Sequence, residues 1–302
     1  MDKNFYNTAS AAKLGWEPIW FGAMEFGEQL AEKIAEFQES YDLKADGLCG
    51  PVTYRRVLTA RQAMMELALE NYENKIKDLE VTKKIVCGET GVPIQWDKFV
   101  NLTDSGNLEL PSSCYRYEKD RSPTMIVTHW DAALSAKSCF NILKNKGISS
   151  HFVIDNDGTI YQMVNTSNIG WHAGNRKVNS TSIGIDFSNA YYTKYQSYYE
   201  KKGFGPRPLL KDSTVHGRKL KEHLGYYPVQ VEAYKALVEA LCEHYDIPLE
   251  CPVGDNGKVL TSVHAPSRSA EFKGVVSHYH LTERKIDCAG LPLEKILSEI
   301  GN

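Results

Sequence analysis

Apolar residues recur at spacings of three and four early in the chain. Leu30, Ile34, Phe37 and Tyr41 form one stripe, which predicts a helix from Glu28 to Tyr41. The first sixty residues as a whole read as short helices. Asp46-Gly47 and Gly50-Pro51 supply two turn signals after the stripe, and Thr53 is placed to cap a further helix through Val57 and Leu58. Residues 60–79 intersperse Glu and Lys, the pattern of a polar helix acting as a solvated connector. From Lys83 to Tyr117 the apolar runs shorten and are broken by Gly, Pro, Asn and Ser, which predicts strands and loops in a bridging segment.

The texture changes after Ser122-Pro123. Met125-Ile126-Val127 is a short apolar strand leading into Thr128-His129-Trp130-Asp131, and residues 135–146 read as a helix stopped by Gly147. The runs 151–154 and 159–164 flank Asp155-Asn156-Asp157-Gly158, which predicts a hairpin with an Asp-Gly turn. Ser182 to Phe187 reads as a strand lying centrally in a sheet. Pro228 opens a helix to Tyr245 whose apolar face carries Val231, Leu237, Val238, Leu241 and Cys242. Gly274 to His278 is another strand, and residues 292–300 close the chain as a helix. Strands interleaved with helices predict an α/β fold, and the hairpin makes its central sheet mixed. The expected divisions are a helical segment 1–80, a bridge 81–120 and an α/β domain 121–302.

Length and composition narrow the class. A chain of 302 residues suggests two domains. Its 35 Lys and Arg against 38 Asp and Glu leave a net charge of −3, which argues against a nucleic-acid partner. No apolar run approaches the ~18 residues of a membrane span, so no stable membrane association is expected. The first residues lack the basic and apolar pattern of a secretory signal, so synthesis in the cytoplasm is expected. Seven scattered cysteines with no C-x-x-C pair read as a reduced chain.

Candidate chemistry gathers at strand ends. His129 follows one apolar strand and His278 another, and Asp287 comes nine residues after His278. Two histidines and a carboxylate are a catalytic zinc set with the fourth position left for water. Cys288 offers a thiolate as an alternative third ligand, and His280, two residues from His278 on the same predicted strand face, could replace it. Asp186 is a carboxylate inside an apolar strand, costly to bury unless paired or functional. His172, flanked by Trp171 and by Ala173-Gly174, lies in a loop able to approach a substrate closely. His151 reads as a packed residue, and His216, His223, His244 and His264 have ordinary surroundings.

Taken in order, Val127-Thr128-His129-Trp130, Ser150-His151-Phe152-Val153-Ile154, Trp171-His172-Ala173-Gly174, Ser182-Ile183-Gly184-Ile185-Asp186, and His278 with Lys285-Ile286-Asp287 resemble the zinc-dependent N-acetylmuramoyl-L-alanine amidases over residues 121–295. Independently, Phe37-Gln38, Asp46-Gly47 and Gly50-Pro51 resemble the small three-helix peptidoglycan-binding domain of cell-wall hydrolases. The resemblance implies Zn2+ held by His129, His278 and Asp287, with Asp186 as general base where relatives often carry Glu. It implies Lys285 as an oxyanion stabiliser and His172 and Trp171 at the substrate. The implied reaction cleaves the amide joining N-acetylmuramic acid to L-alanine, in a phage or prophage endolysin reaching the wall after release; the alternative is a non-catalytic recognition module.

Overall fold

The structure, a computed structural model, describes residues 2–80, 83–118 and 121–301, without the side chains of residue 68 and residues 70–80. The chain divides into two compact units, residues 1–81 and 82–302.

The first unit is helical. Helix α1 (Lys3–Leu14) starts where the Asp2 carboxylate accepts the Asn4 and Phe5 N–H groups and stops at Gly15 in the left-handed region. Helix α2 (Glu28–Ser40) carries the predicted stripe: Leu30 and Ile34 are fully buried against Ala11, Trp16, Phe21 and Val57. Helix α3 (Pro51–Glu80) corrects an expectation. It is one continuous helix rather than two, and Thr53 lies inside it instead of capping it. Pro51 takes the first helical position, where its missing N–H leaves nothing unpaired. The expected charged face of residues 70–79 lies outside the described side chains.

Gln38 organises the turn between α2 and α3. Its Nε2 donates to Asp46 Oδ1 (3.1 Å), the Leu48 carbonyl (3.1 Å) and Thr53 Oγ1 (3.0 Å), while its Oε1 accepts the Gly47 N–H at 2.8 Å. Gly47 has φ of +72°, and a Cβ there would lie 2.7 Å from the Ala31 carbonyl oxygen, so only glycine fits. Phe37 packs edge-on against Phe21. Phe37, Gln38, Asp46, Gly47 and Pro51 thus act within the fold of this unit.

The second unit contains strands β1 (Lys83–Cys87), β2 (Thr90–Ile94), β3 (Phe99–Val100), β4 (Tyr115–Arg116), β5 (Met125–Trp130), β6 (Phe152–Ile154), β7 (Ile160–Gln162), β8 (Ile169–Gly170) and β9 (Ser182–Phe187). The short pairs β10 (Leu209–Leu210) with β13 (His223–Leu224), and β11 (Thr214–Val215) with β12 (Arg218–Lys219), precede the last strand β14 (Gly274–Ser277). Its central sheet runs β14-β5-β9-β6-β7-β3. The first four strands are parallel, β6 and β7 form the antiparallel hairpin, and β3 pairs parallel with β7. The sheet is mixed, as its sequence pattern predicts. Residues 83–118, expected as a bridge, are strands and loops of this unit, and β3 forms the sheet edge.

Helix α4 (Ala136–Lys146) follows β5, and α5 (Arg176–Thr181) precedes β9. After α6 (Gln196–Lys201) comes α7 (Pro228–Tyr245), then α8 (Ala265–Arg268) and α9 (Leu293–Ser298). Helix α7 buries Ala233, Tyr234, Leu237, Val238 and Leu241 against Ile126 of β5 and Ile183, Ile185 and Phe187 of β9. Alternation then sends Met125, Val127 and His129 of β5, with Ser182, Gly184 and Asp186 of β9, to the other face. Among the described residues no helix is long and apolar enough to cross a membrane.

Replacing Gln38 with Leu should leave the buried Gly47 N–H without its partner inside the first unit, while the Leu48 carbonyl keeps the Gly50 N–H. The expected loss is about 2–3 kcal/mol, read as a lowered denaturant midpoint in the fluorescence of buried Trp16; an unchanged midpoint would remove Gln38 from this role.

Candidate active site

Three adjacent parallel strands end at one point. Register pairs His129 with Asp186 across β5 and β9, and Ser277 of β14 with Thr128 of β5. His278 therefore emerges one residue past the pairing, in a 3-10 turn of residues 278–280 rather than on the strand. That turn separates His278 from His280, which the expected strand would have put on one face. His280 points inward: its Nδ1 accepts the Ser277 N–H and its Nε2 meets the Leu260 carbonyl. Crevices at the carboxyl ends of parallel strands are the usual ligand sites of such sheets.

The structure brings His129, His278 and Asp287 together. His129 Nδ1 lies 3.0 Å from His278 Nδ1 and 3.3 Å from Asp287 Oδ2, and His278 Nδ1 lies 3.0 Å from the same oxygen. All three residues are buried. Cys288 is not part of the cluster; it lies in the hydrophobic core with Leu291 and Tyr234, and burial pushes its thiol well above its usual range. Asp186, Lys285, Trp171 and His172 line the same pocket. Ile142, Leu143, Lys146 and Ile148, on α4 and just beyond it, form another part of its wall.

A hydrogen-bond chain sets the His129 ring. The Ser182 hydroxyl donates to the Val178 carbonyl at 2.6 Å, which leaves its oxygen to accept His172 Nε2–H at 3.3 Å. His172 Nδ1 then accepts His129 Nε2–H at 3.1 Å. In that arrangement His129 Nδ1 carries a bare lone pair, and it faces a carboxylate oxygen. His172, expected at the substrate, thus has both ring nitrogens engaged while still bordering the pocket. Gly184 makes room for it: a Cβ there would lie 2.8 Å from His172 Cγ.

Electrostatics divides the acids. Burial pushes the Asp186 carboxyl up to about 7, and the Asp287 charge adds to this. Burial acts the same way on Asp287, and only hydrogen bonds or positive charge at the His129 and His278 nitrogens against it hold it well below the usual carboxylate range. Burial also lowers His278. Asp131 belongs to the pocket wall and was missed in the sequence, although it directly follows Trp130. Burial and the nearby Asp186 charge raise it to about 8, and it accepts the Ala133 and Asn189 N–H groups and the Ser188 hydroxyl.

Arg121 was missed too. It is buried and meets five carbonyl oxygens, those of Thr166, Asn168, Asn179, Ser180 and Ser182. With His151, whose Nδ1 accepts the Gly184 N–H, it pins the segments that flank His172. Burial lowers His151 to about 3, so its ring is neutral.

The cluster fits a divalent cation. A bare imidazole nitrogen and a carboxylate oxygen 3.3 Å apart are both acceptors, and only a positive centre between them makes the contact favourable. Nitrogen and oxygen ligands about 2.0–2.2 Å from a tetrahedral ion stand roughly 3.3 Å from one another, close to the three separations here. The donor set, two imidazoles and one carboxylate, suits a borderline ion with an open fourth position.

Residues 119–288, more than half of the chain, match the sequence model of the N-acetylmuramoyl-L-alanine amidases. The chain belongs to that family. Residues 13–57 match a second model, that of a peptidoglycan binding domain, so peptidoglycan is the partner of this amidase. No curated protein matches the chain. Solved structures do. The endolysin N-acetylmuramoyl-L-alanine amidase LysCS from Clostridium intestinale URNW is 19% identical, covers 66% of this chain and 93% of its own, and has a TM-score of 0.37. The Ph2119 endolysin of Thermus scotoductus MAT2119 bacteriophage Ph2119 is 16% identical, over 68% and 99% of the two chains, at 0.37. The amidase AmiD from E. coli, in complex with an anhydro-N-acetylmuramic acid peptide, is 21% identical over 48% and 49%, at 0.30. The family assignment rests on the sequence model.

His172→Ala in this amidase should free the His129 ring and weaken divalent-cation binding by about 10–100-fold, measured by chelator competition. His172→Asn, whose carbonyl can accept the same N–H, should recover part of the loss; unchanged affinity in both would remove His172 from this role.

Proposed function

We propose that the chain is a zinc-dependent amidase that hydrolyses the bond between the lactyl group of N-acetylmuramic acid and L-alanine. The observation that carries this reading is the convergence of His129 Nδ1, His278 Nδ1 and Asp287 Oδ2 in a pocket shared with Asp186 and Lys285, inside the family-matched segment. Those three residues would hold Zn2+. When bound, the ion acts as a Lewis acid on the carbonyl and lowers the pKa of a water molecule.

The remaining work belongs to the side chains. Asp186, on the same sheet face as His129, takes the proton of the attacking water and returns it to the departing L-alanine nitrogen. Its raised carboxyl suits both halves of that exchange. The exposed Lys285 ammonium stabilises the charge that grows on the carbonyl oxygen. Trp171 gives the pocket an apolar wall that orients the substrate. His172 keeps the His129 lone pair aimed inward.

A wall-binding domain and an amidase on one chain suit an enzyme that attacks intact polymer. We therefore read it as a lysin of the phage or prophage type.

Digestion of purified peptidoglycan by the zinc-loaded protein should release stem peptides with a free L-alanine amino terminus and no new reducing sugar ends, by mass spectrometry. Binding to sacculi without release would favour a recognition module instead. Asp186→Asn should retain the ion, by metal analysis, and lose about 10²–10⁴-fold in turnover; full turnover would exclude Asp186 as the base.

A further inference from the structure

The aromatic residues that follow β9 have no part in the chemistry above. Trp130 borders the pocket at the end of β5, and its ring lies 4.8 Å from that of Tyr191. Tyr191 stacks on His223 at 5.0 Å and meets Tyr192 edge-on at 5.1 Å. Tyr192 is 57% exposed, and Lys194 braces it at 5.4 Å from the ring. The rings thus lead from the pocket wall to open surface.

The backbone beneath them is held in an unfavourable shape. Tyr191 has φ of +62°, where glycine is at ease and a bulky side chain costs about 1–3 kcal/mol. The shape is pinned on several sides. The Tyr192 N–H closes a tight turn on the Ala190 carbonyl at 2.7 Å, and the Leu224 N–H donates to the Tyr191 carbonyl at 2.8 Å. Asn189 Oδ1 accepts the Tyr191 N–H at 2.9 Å. A tyrosine kept where glycine would fold more easily points to a use for its ring.

We propose that Trp130, Tyr191 and Tyr192 form a shelf that binds the glycan strand next to the muramyl residue being cleaved. This rests on the amidase reading, since the shelf continues that pocket. Aromatic rings are rigid, flat and amphipathic, which suits the apolar faces of pyranose rings, and the phenol hydroxyls are free to bond sugar hydroxyls. Among the described residues neither Tyr191 nor Tyr192 has a hydrogen-bond partner for its hydroxyl. The stem peptide, with its carboxylates, matches a different wall, the one that carries Lys146 beside Ile142 and Ile148.

The test titrates peptide-free glycan oligosaccharides into the full chain by calorimetry, comparing wild type with Tyr191→Gly, Tyr192→Ala and Tyr192→Trp. Tyr191→Gly removes a ring while easing the backbone, and Tyr192 is exposed, so both should fold. Affinity should fall about tenfold in these two and hold in Tyr192→Trp; glycan binding through the first unit is common to all four proteins. In the same variants the KM for glycan-linked substrate should rise while kcat, and all turnover of a single muramyl peptide, stay unchanged. Equal glycan affinity in every variant overturns the shelf, as does a loss of affinity for glycan-free stem peptide instead. A wild type that shows the glycan difference yet cleaves neither substrate refutes the amidase reading and supports the shelf by its binding.

Discussion

Two imidazole nitrogens and a carboxylate oxygen within 3.3 Å of one another cannot satisfy each other by hydrogen bonding alone. Such a cluster persists only where the surrounding structure forces it, and it suits a cation that would compensate it. The sheet end of the second unit supplies the force. β5 and β14 are locked in parallel register by a core that α7 closes from one side, so His129 and His278 must emerge together.

Orientation comes from a second layer of polar contacts. Ser182 sets His172, His172 sets His129, and Gly184 leaves the space in which the two rings meet. Beneath them, Arg121 gathers five carbonyls, with no carboxylate partner among the described residues, and so ties the loops around β9 into one piece. A guanidinium can do this because its donors are fixed in a plane and several carbonyl dipoles together offset its charge. The first unit uses the same device on a smaller scale, with Gln38 satisfying a turn that would otherwise bury an unpaired backbone N–H.

Much of this was legible along the chain. The stripe through Leu30 and Ile34, the Asp-Gly hairpin and the apolar run around Asp186 each express a local periodicity, so they identify their elements without tertiary knowledge. The misreadings have equally local causes. Thr53 looks like a helix cap because its type favours that place, yet Pro51 two residues earlier starts the helix and Gln38 claims the hydroxyl. His278 and His280 share a face only if the strand continues, and it stops at Ser277.

The sequence by itself determined most of the elements, their order, and the two histidines of the cluster, because periodicity and the chemistry of individual side chains are properties of short segments. It left open whether Asp287 or Cys288 joins the two histidines, since neighbours in a loop differ only in where the loop points them. Tertiary structure decided that by burying Cys288 in the core and turning Asp287 to the strand ends. It alone revealed Arg121 and Asp131, which meet groups tens of residues away. Those contacts exist only once the sheet has brought distant segments together, and no local pattern encodes them.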